Sequence, residues 1–109
     1  SVDFVENGAV SLHALKANVA ALREGKRTRI FKKDVLPWIE GLEPSAYDVV
    51  YVDPPYGSLK LDRVVERWLE VPFARVLMLE HDKAHVLPEA ARGKRYDFPG
   101  PTRLTVLRA

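Results

Sequence analysis

The chain has 109 residues, of which 47% are hydrophobic and 29% are charged, and its net charge is +2. This length suits one small domain, and the composition is typical of a globular protein. No apolar run approaches the roughly 20 residues of a membrane span, no secretory signal is visible, and cysteine is absent. We therefore expect a cytoplasmic protein without membrane contact, and the three histidines show no metal-binding constellation.

Four elements are predicted in the first 40 residues, in the order strand, helix, strand and short helix: residues 2–6, 9–24, 28–33 and 35–39. Asn7 precedes the first helix and is its expected N-terminal cap. Gly25 follows the helix and is expected to end it, because glycine accepts the left-handed conformation that often closes a last turn.

Six further elements are predicted in the order strand, helix, strand, weak short helix and two strands: residues 49–52, 59–70, 74–79, 81–91, 94–98 and 102–108. The run 49–52 is apolar and rich in β-branched residues, which favours a strand buried on both faces. The link 99–101 is too short for a crossover helix, so the last two strands should form an antiparallel hairpin. This order predicts an α/β fold with a mostly parallel sheet and an antiparallel edge.

Four predicted strands are followed by a carboxylate: Glu6, Asp34, Asp53 and Glu80. Acids are favoured at helix N-termini, where the helix dipole stabilises them, so each of these residues has a purely structural explanation. Parallel strands also place their carboxyl ends on one edge of a sheet, where ligands bind in α/β folds. Glu6 is then suited to a nucleoside ribose and Asp34 to an adenine amine, whereas Glu80 also suits a cap for the next helix.

The segment Asp53-Pro54-Pro55-Tyr56 follows the buried strand and has a more specific chemical interpretation. The two prolines end the strand and fix the backbone direction. An exocyclic amine is a poor nucleophile because its lone pair is delocalised into the ring. The Asp53 carboxylate and the Pro54 carbonyl can accept its two N–H groups, and Tyr56 offers a ring for stacking an extruded base. The simpler alternative is a rigid turn.

This tetrapeptide resembles the signature of S-adenosylmethionine-dependent amino-methyltransferases. The wider chain resembles the bacterial enzymes that methylate the N2 amine of a guanine in small-subunit ribosomal RNA. The resembling segments are residues 5–6, 15–18, 34, 47–56, 94–96 and 102–105. The resemblance implies a Rossmann-like methyltransferase sheet, a cofactor site that includes Glu6, Asn7, Asp34, Val35 and Asp53, and catalysis at residues 53–56.

The sequence departs from this family in its glycines. The family carries a glycine-rich loop after its first strand, but the six glycines of this chain are too dispersed to form one. We therefore expect residues 1–109 to be a partial methyltransferase domain that starts at the second strand, with the first strand missing. A missing N-terminal segment or a second chain would then complete the sheet, and the isolated chain would bind the cofactor weakly.

Basic residues between positions 23 and 33 and near the C-terminus suggest contacts with RNA phosphates, although such clusters are usually solvated surface. The candidate contacts are Lys26, Arg27, Arg29 and Arg95. The expected partner is ribosomal RNA or the small-subunit particle. Methylation of adenine N6 in DNA or of glutamine N5 remains open, as does a non-catalytic RNA-binding remnant. A nucleotide-binding dehydrogenase half is disfavoured by the double proline.

Overall fold

The computed structural model describes residues 2–6, 8–54 and 59–109, and it divides the chain into two compact units, Ser1–Trp38 and Ile39–Ala109. Both units combine strands and helices, so the fold is mixed α/β as predicted. None of the helices in the described ranges is both long and apolar enough to cross a membrane.

The N-terminal unit consists of β1 (Val2–Val5), α1 (Ala9–Ala21), a 3-10 turn (Gly25–Arg27), β2 (Thr28–Phe31) and the start of α2 (Val35–Glu40). The two strands are parallel, with Val2 opposite Thr28 and Val5 opposite Phe31. Leu12 is the buried residue of α1. The helix begins after Gly8, which takes the N-cap position without a side-chain cap. The N-cap is therefore Gly8 and not Asn7, so the predicted cap is wrong. Asn7 itself lies outside the described residues.

The C-terminal end of α1 differs from the prediction. Arg23, not Gly25, takes the left-handed conformation, with φ of 56°. The amide of Arg23 donates to the Ala20 carbonyl at 3.1 Å, and the amide of Glu24 donates to the Val19 carbonyl at 3.2 Å. This pair of bonds is a Schellman motif, which satisfies carbonyls that the helix leaves unpaired. Gly25 instead begins the 3-10 turn.

Replacement of Arg23 by glycine is expected to stabilise the protein by about 0.5–1 kcal/mol, because a side chain makes the left-handed conformation costly. Gly25→Ala is the control, since a methyl group at Gly25 meets no atom within 4 Å and its φ lies outside the left-handed range. Urea unfolding of both variants measures the difference. A decrease in the free energy of unfolding of Arg23→Gly would contradict the assigned helix end.

The C-terminal unit contains a four-stranded sheet and α3 (Lys60–Glu70). Its strands are β3 (Tyr47–Val52), β4 (Ala74–Asp82), β5 (Lys94–Asp97) and β6 (Thr102–Arg108), in the spatial order β3-β4-β6-β5. β3 and β4 are parallel, while β6 is antiparallel to both β4 and β5. The predicted C-terminal hairpin and the parallel pair before it are confirmed. The described strands form two sheets rather than the single, mostly parallel sheet that we expected, and the four-stranded sheet is mixed, with one parallel and two antiparallel pairs.

The core of this unit lies between one face of α3 and one face of the sheet. The buried face of α3 carries apolar residues at helical spacing: Leu61, Val64, Val65 and Trp68. The Trp68 indole donates to the Ala74 carbonyl at 2.8 Å, which satisfies its buried N–H and ties α3 to the start of β4. Leu77 and Leu79 of β4 alternate along the strand and are fully buried.

β3 does not have two buried faces, so that prediction is wrong for the described structure. Among the described strands β3 pairs only with β4, and the side chains of Val49 and Tyr51 are 54% and 55% exposed. Val50 and Val52 are more protected because they share the sheet face of Leu77 and Leu79. Among the described strands β3 lies at the edge of its sheet with one face covered, which explains why its two faces differ in exposure.

β4 is longer than predicted and continues through Glu80 to Asp82. Antiparallel pairing with β6 extends it, since Asp82 still lies opposite Thr102. The helix predicted over 81–91 is absent, because this segment forms the strand end followed by turns. Glu80 is therefore a residue within a strand, and the interpretation of Glu80 as a helix cap is wrong.

Candidate active site

Asp53 follows the last residue of β3 and is exposed to solvent, with Pro54 directly after it. Val52 pairs with Leu79 in the parallel ladder, so Asp53 lies beside Glu80 at the same level of the sheet. A carboxylate at this position can accept hydrogen bonds from a ligand that approaches the carboxyl end of β3. Pro55 and Tyr56, the other two predicted catalytic residues, lie outside the described residues.

Glu80 and Tyr51 lie on the same side of the sheet as Asp53 and interact with it electrostatically. Tyr51 lies on β3 and Asp53 follows two residues later, so both point to the same side of the sheet, and the β3–β4 register puts Glu80 on that side too. A side-chain hydrogen bond to Asp53, together with partial burial and the Asp53 charge, raises the pKa of Glu80, although a hydrogen bond from Tyr51 opposes this effect. Partial burial and the charges of Glu80 and Asp53 raise the pKa of Tyr51.

His81 holds this part of β4 from the opposite sheet face. It is buried, and its Nε2 lies 2.8 Å from the Thr105 hydroxyl of β6. Its Nδ1 lies 2.9 Å from the Asp82 carbonyl, which can only accept, so Nδ1 carries a hydrogen, and in the neutral ring Nε2 accepts from the Thr105 hydroxyl. A second histidine contact, 2.7 Å between His85 Nε2 and Asp62 Oδ1, joins the turn after β4 to α3.

Glu6 and Asp34, the predicted cofactor-binding acids, lie in the N-terminal unit and follow the parallel strands β1 and β2. Both make local hydrogen bonds. Glu6 Oε1 accepts from the Gly8 amide at 2.9 Å, and Asp34 Oδ1 accepts from the Leu36 amide at 3.2 Å, beside Val35 at the start of α2. These contacts agree with the structural explanation for acids at helix starts. A carboxylate has two oxygens with further acceptor capacity, so neither bond excludes a ligand.

The predicted RNA-binding residues differ in their surroundings. Arg29 forms a two-pronged contact with Asp3, in which its Nε and Nη2 each lie 2.8 Å from a carboxylate oxygen. The Asp3 side chain is almost fully buried, so this pair belongs to the packing of β1 against β2. Lys26, Arg27 and Arg95 are exposed. Arg27 lies 3.9 Å from Glu24, an exposed pair of small energetic value.

Tyr51 and Glu80 were not recognised from the sequence as partners of Asp53. The signal for Tyr51 was its position two residues before Asp53 on a predicted strand. The signal for Glu80 was the alignment of the two parallel strands, and it depended on a strand register that sequence patterns do not fix.

Comparison with known protein families gives one match over most of the chain. A family model described as conserved hypothetical protein 95 matches residues 1–96. No curated protein matches the chain significantly.

Solved structures share the fold at low sequence identity. A conserved hypothetical protein from Streptococcus pyogenes is 20% identical with a TM-score of 0.80, over 97% of this chain and 69% of its own. A putative methylase from Haemophilus influenzae is 19% identical with a TM-score of 0.75, over 99% of this chain and 71% of its own. A methyltransferase from Escherichia coli, also named as putative, is 16% identical with a TM-score of 0.74, over 97% of this chain and 60% of its own.

At these identities the likeness establishes a common mixed α/β fold. The family match is stronger evidence of relationship, because it extends from the first strand into the C-terminal hairpin and includes Glu6, Asp34, Asp53 and Glu80. The chain therefore belongs to the conserved hypothetical protein 95 family.

Proposed function

We propose that this chain carries the catalytic part of an S-adenosylmethionine-dependent methyltransferase that modifies the exocyclic N2 amine of a guanine in small-subunit ribosomal RNA. The observation that carries the proposal is the solvent-exposed carboxylate of Asp53 at the carboxyl end of β3, directly before Pro54. Two of the similar structures are also named as a methylase or a methyltransferase.

The arrangement suits an amine because Asp53 and Pro54 offer two acceptors on one short, stiff segment. The Asp53 carboxylate accepts one N–H and the Pro54 carbonyl accepts the other, which orients the nitrogen toward the methyl donor. Holding the reacting atoms in line supplies a large share of the rate in such a reaction. Tyr56, on which the base would stack, completes the proposed site together with Pro55.

The cofactor would supply a methyl group activated on a sulfonium sulfur. In the proposed site Glu6 accepts from the ribose hydroxyls and Asp34 from the adenine amine, while Asn7 and Val35 provide neighbouring contacts. β1 and β2 are parallel, so both acids follow strands at the same edge of their sheet. Carboxylates are suitable acceptors for hydroxyl and amine donors, and the residues present fit this half of the cofactor.

The methionine half of the cofactor needs a glycine-rich loop, and we propose that a segment outside residues 1–109, or a second chain, provides it. This chain spans 60–71% of the length of the similar structures above. β3 has one strand neighbour in the described structure although its sequence is typical of a central parallel strand. A further strand along β3 would bury Val49 and Tyr51 more fully.

Ribosomal RNA or the small-subunit particle is the proposed substrate, with Lys26, Arg27, Arg29 and Arg95 near the phosphates. Replacement of Lys26 and Arg27 by alanine is expected to make the salt dependence of RNA binding shallower by about 0.7 in log–log slope for each phosphate that is no longer bound. Lys16→Ala, which removes an exposed charge from α1, is the control. Arg29 is left intact because its removal would disturb Asp3. An unchanged slope would exclude this cluster.

A methyl-transfer assay tests the function directly. The full-length protein is mixed with methyl-labelled S-adenosylmethionine and, in separate reactions, small-subunit particles, naked ribosomal RNA, adenine-containing DNA and glutamine peptides. The expected product is N2-methylguanosine in digested RNA, identified by mass spectrometry. Label in adenine N6 or glutamine N5 would support the alternative amine substrates. No incorporation into any acceptor would contradict the proposed activity.

A further inference from the structure

Within the residues that the structure describes, no structural role explains the position of Glu80. It lies within β4, so it caps no helix, and β6 places the uncharged Leu104 opposite it. Among the described residues, the titratable groups that face it are Tyr51 of β3 and Asp53, which follows β3. A carboxyl group held beside another carboxyl group is electrostatically unfavourable when both are ionised, so the contact with Asp53 requires an explanation.

The ladder between β3 and β4 keeps Asp53 and Glu80 together. Tyr51 pairs with Met78 and Val52 pairs with Leu79, so the next step along both strands places Asp53 beside Glu80. The backbone of β4 is paired with β3 as far as Leu79 and with β6 at Glu80 itself. The sheet therefore places the two residues next to one another on one face.

Two carboxyl groups can hydrogen-bond to one another only when a proton lies between them, because an ionised carboxylate only accepts. The pair therefore takes up one proton more readily than an isolated carboxylate does, as the raised pKa of Glu80 indicates. Tyr51 lies on the same sheet face, and its hydroxyl opposes part of the rise in the pKa of Glu80. The partly exposed pair can exchange its proton with water.

We propose that Glu80 is a positioning residue that shares with Asp53 the proton released when the bound amine is methylated. This proposal rests on the proposed function and deepens it. In the balanced step the amine nitrogen forms a bond to the methyl carbon, and the carbon–sulfur bond breaks with its electron pair remaining on sulfur. The nitrogen then gives one proton to the Asp53 carboxylate. Glu80 accepts a hydrogen bond from the protonated Asp53 until water removes the proton.

The first test does not depend on activity. Carbon-detected NMR follows the side-chain carboxyl of Glu80 through a pH titration in the wild-type protein and in Asp53→Asn. The Glu80 carboxyl of the wild type should titrate above the ordinary range of a glutamate, and Asp53→Asn should move this midpoint toward that range. Asp48→Asn, which alters an exposed carboxylate of the same strand, should leave it unchanged. An unchanged midpoint in Asp53→Asn would overturn the carboxyl pair.

The second test is the pH profile of methyl transfer by the wild type and Glu80→Gln. Glutamine keeps a hydrogen bond to Asp53 but cannot take a proton. We expect the acid limb of kcat/KM to move to lower pH and kcat on the plateau to fall about 100-fold, the lower end of typical proton-transfer effects. A profile identical to that of the wild type would overturn the role of Glu80.

The two tests separate the possible failures. If the NMR titration shows the coupled pair but the wild type methylates no amine, the proposed function fails while the carboxyl pair stands. If the wild type methylates an amine but Glu80→Gln retains both the rate and the acid limb, the function stands and the role of Glu80 is refuted.

Discussion

Replacement of Asp53 by alanine is expected to lower methyl transfer about 1,000-fold while leaving the fold intact. The carboxylate is the proposed acceptor of the amine N–H and of its proton, and groups with such roles contribute about 10²- to 10⁴-fold to a rate. Asp53 lies after the end of β3 and is exposed, so its replacement removes no core packing. The measurement is kcat and KM for methyl transfer, together with urea unfolding of the variant.

Two further variants sharpen this result. Asp48→Ala removes an exposed carboxylate from β3 itself and should retain the wild-type rate. Asp53→Asn keeps one acceptor oxygen but removes the negative charge, so it should retain more activity than Asp53→Ala if orientation matters as well as charge. Wild-type kcat in Asp53→Ala, with the fold unchanged, would refute the proposed chemistry.

Replacement of Gly93 by alanine is expected to destabilise the protein by about 3 kcal/mol, the upper range for overpacking. A methyl group at this position would overlap with the Val106 carbonyl oxygen and would lie 2.6 Å from Leu107 Cδ2. Both neighbours belong to β6, and Leu107 is fully buried, so neither can move without disturbing the sheet. The constraint is the close approach of two backbones immediately before β5 begins.

Thermal and urea unfolding measure this effect. At about 4 °C or more per kcal/mol for a domain of this size, Gly93→Ala should lower Tm by about 12 °C or more. Gly25→Ala, at a glycine with open space around it, should leave Tm nearly unchanged. If Gly93→Ala unfolds at the wild-type temperature, the packing of this segment against β6 is not as described.

The sequence predicted an element correctly where its apolar residues recurred at regular spacing, or where prolines and a short link left few possible connections. The spacing of apolar residues predicted α3 and most of its buried face: Leu61, Val64, Val65 and Trp68 are buried, whereas Leu69, predicted on the same face, is exposed. The proline-flanked link at 99–101 predicted the hairpin of β5 and β6, because so short a connection permits only antiparallel neighbours.

The predicted ends of helices and strands were less accurate, because alternative end positions a few residues apart differ little in free energy. Arg23 ends α1 two residues before the glycine that the sequence favoured for this role, at a cost that the Schellman hydrogen bonds offset. β4 extends past Glu80 because β6 supplies partners as far as Asp82, and this pairing is invisible in the local sequence.

The sequence by itself determined the mixed α/β character, the carboxylate at the end of β3 and the proline that follows it, because these depend on residue type and short-range backbone restriction. Only the tertiary structure decided that Glu80 and Tyr51 join Asp53, that Arg29 is paired with Asp3, and that β3 has one strand neighbour in the described chain. These features depend on strand register and order, which bring together residues far apart in the chain and leave no mark in the local sequence.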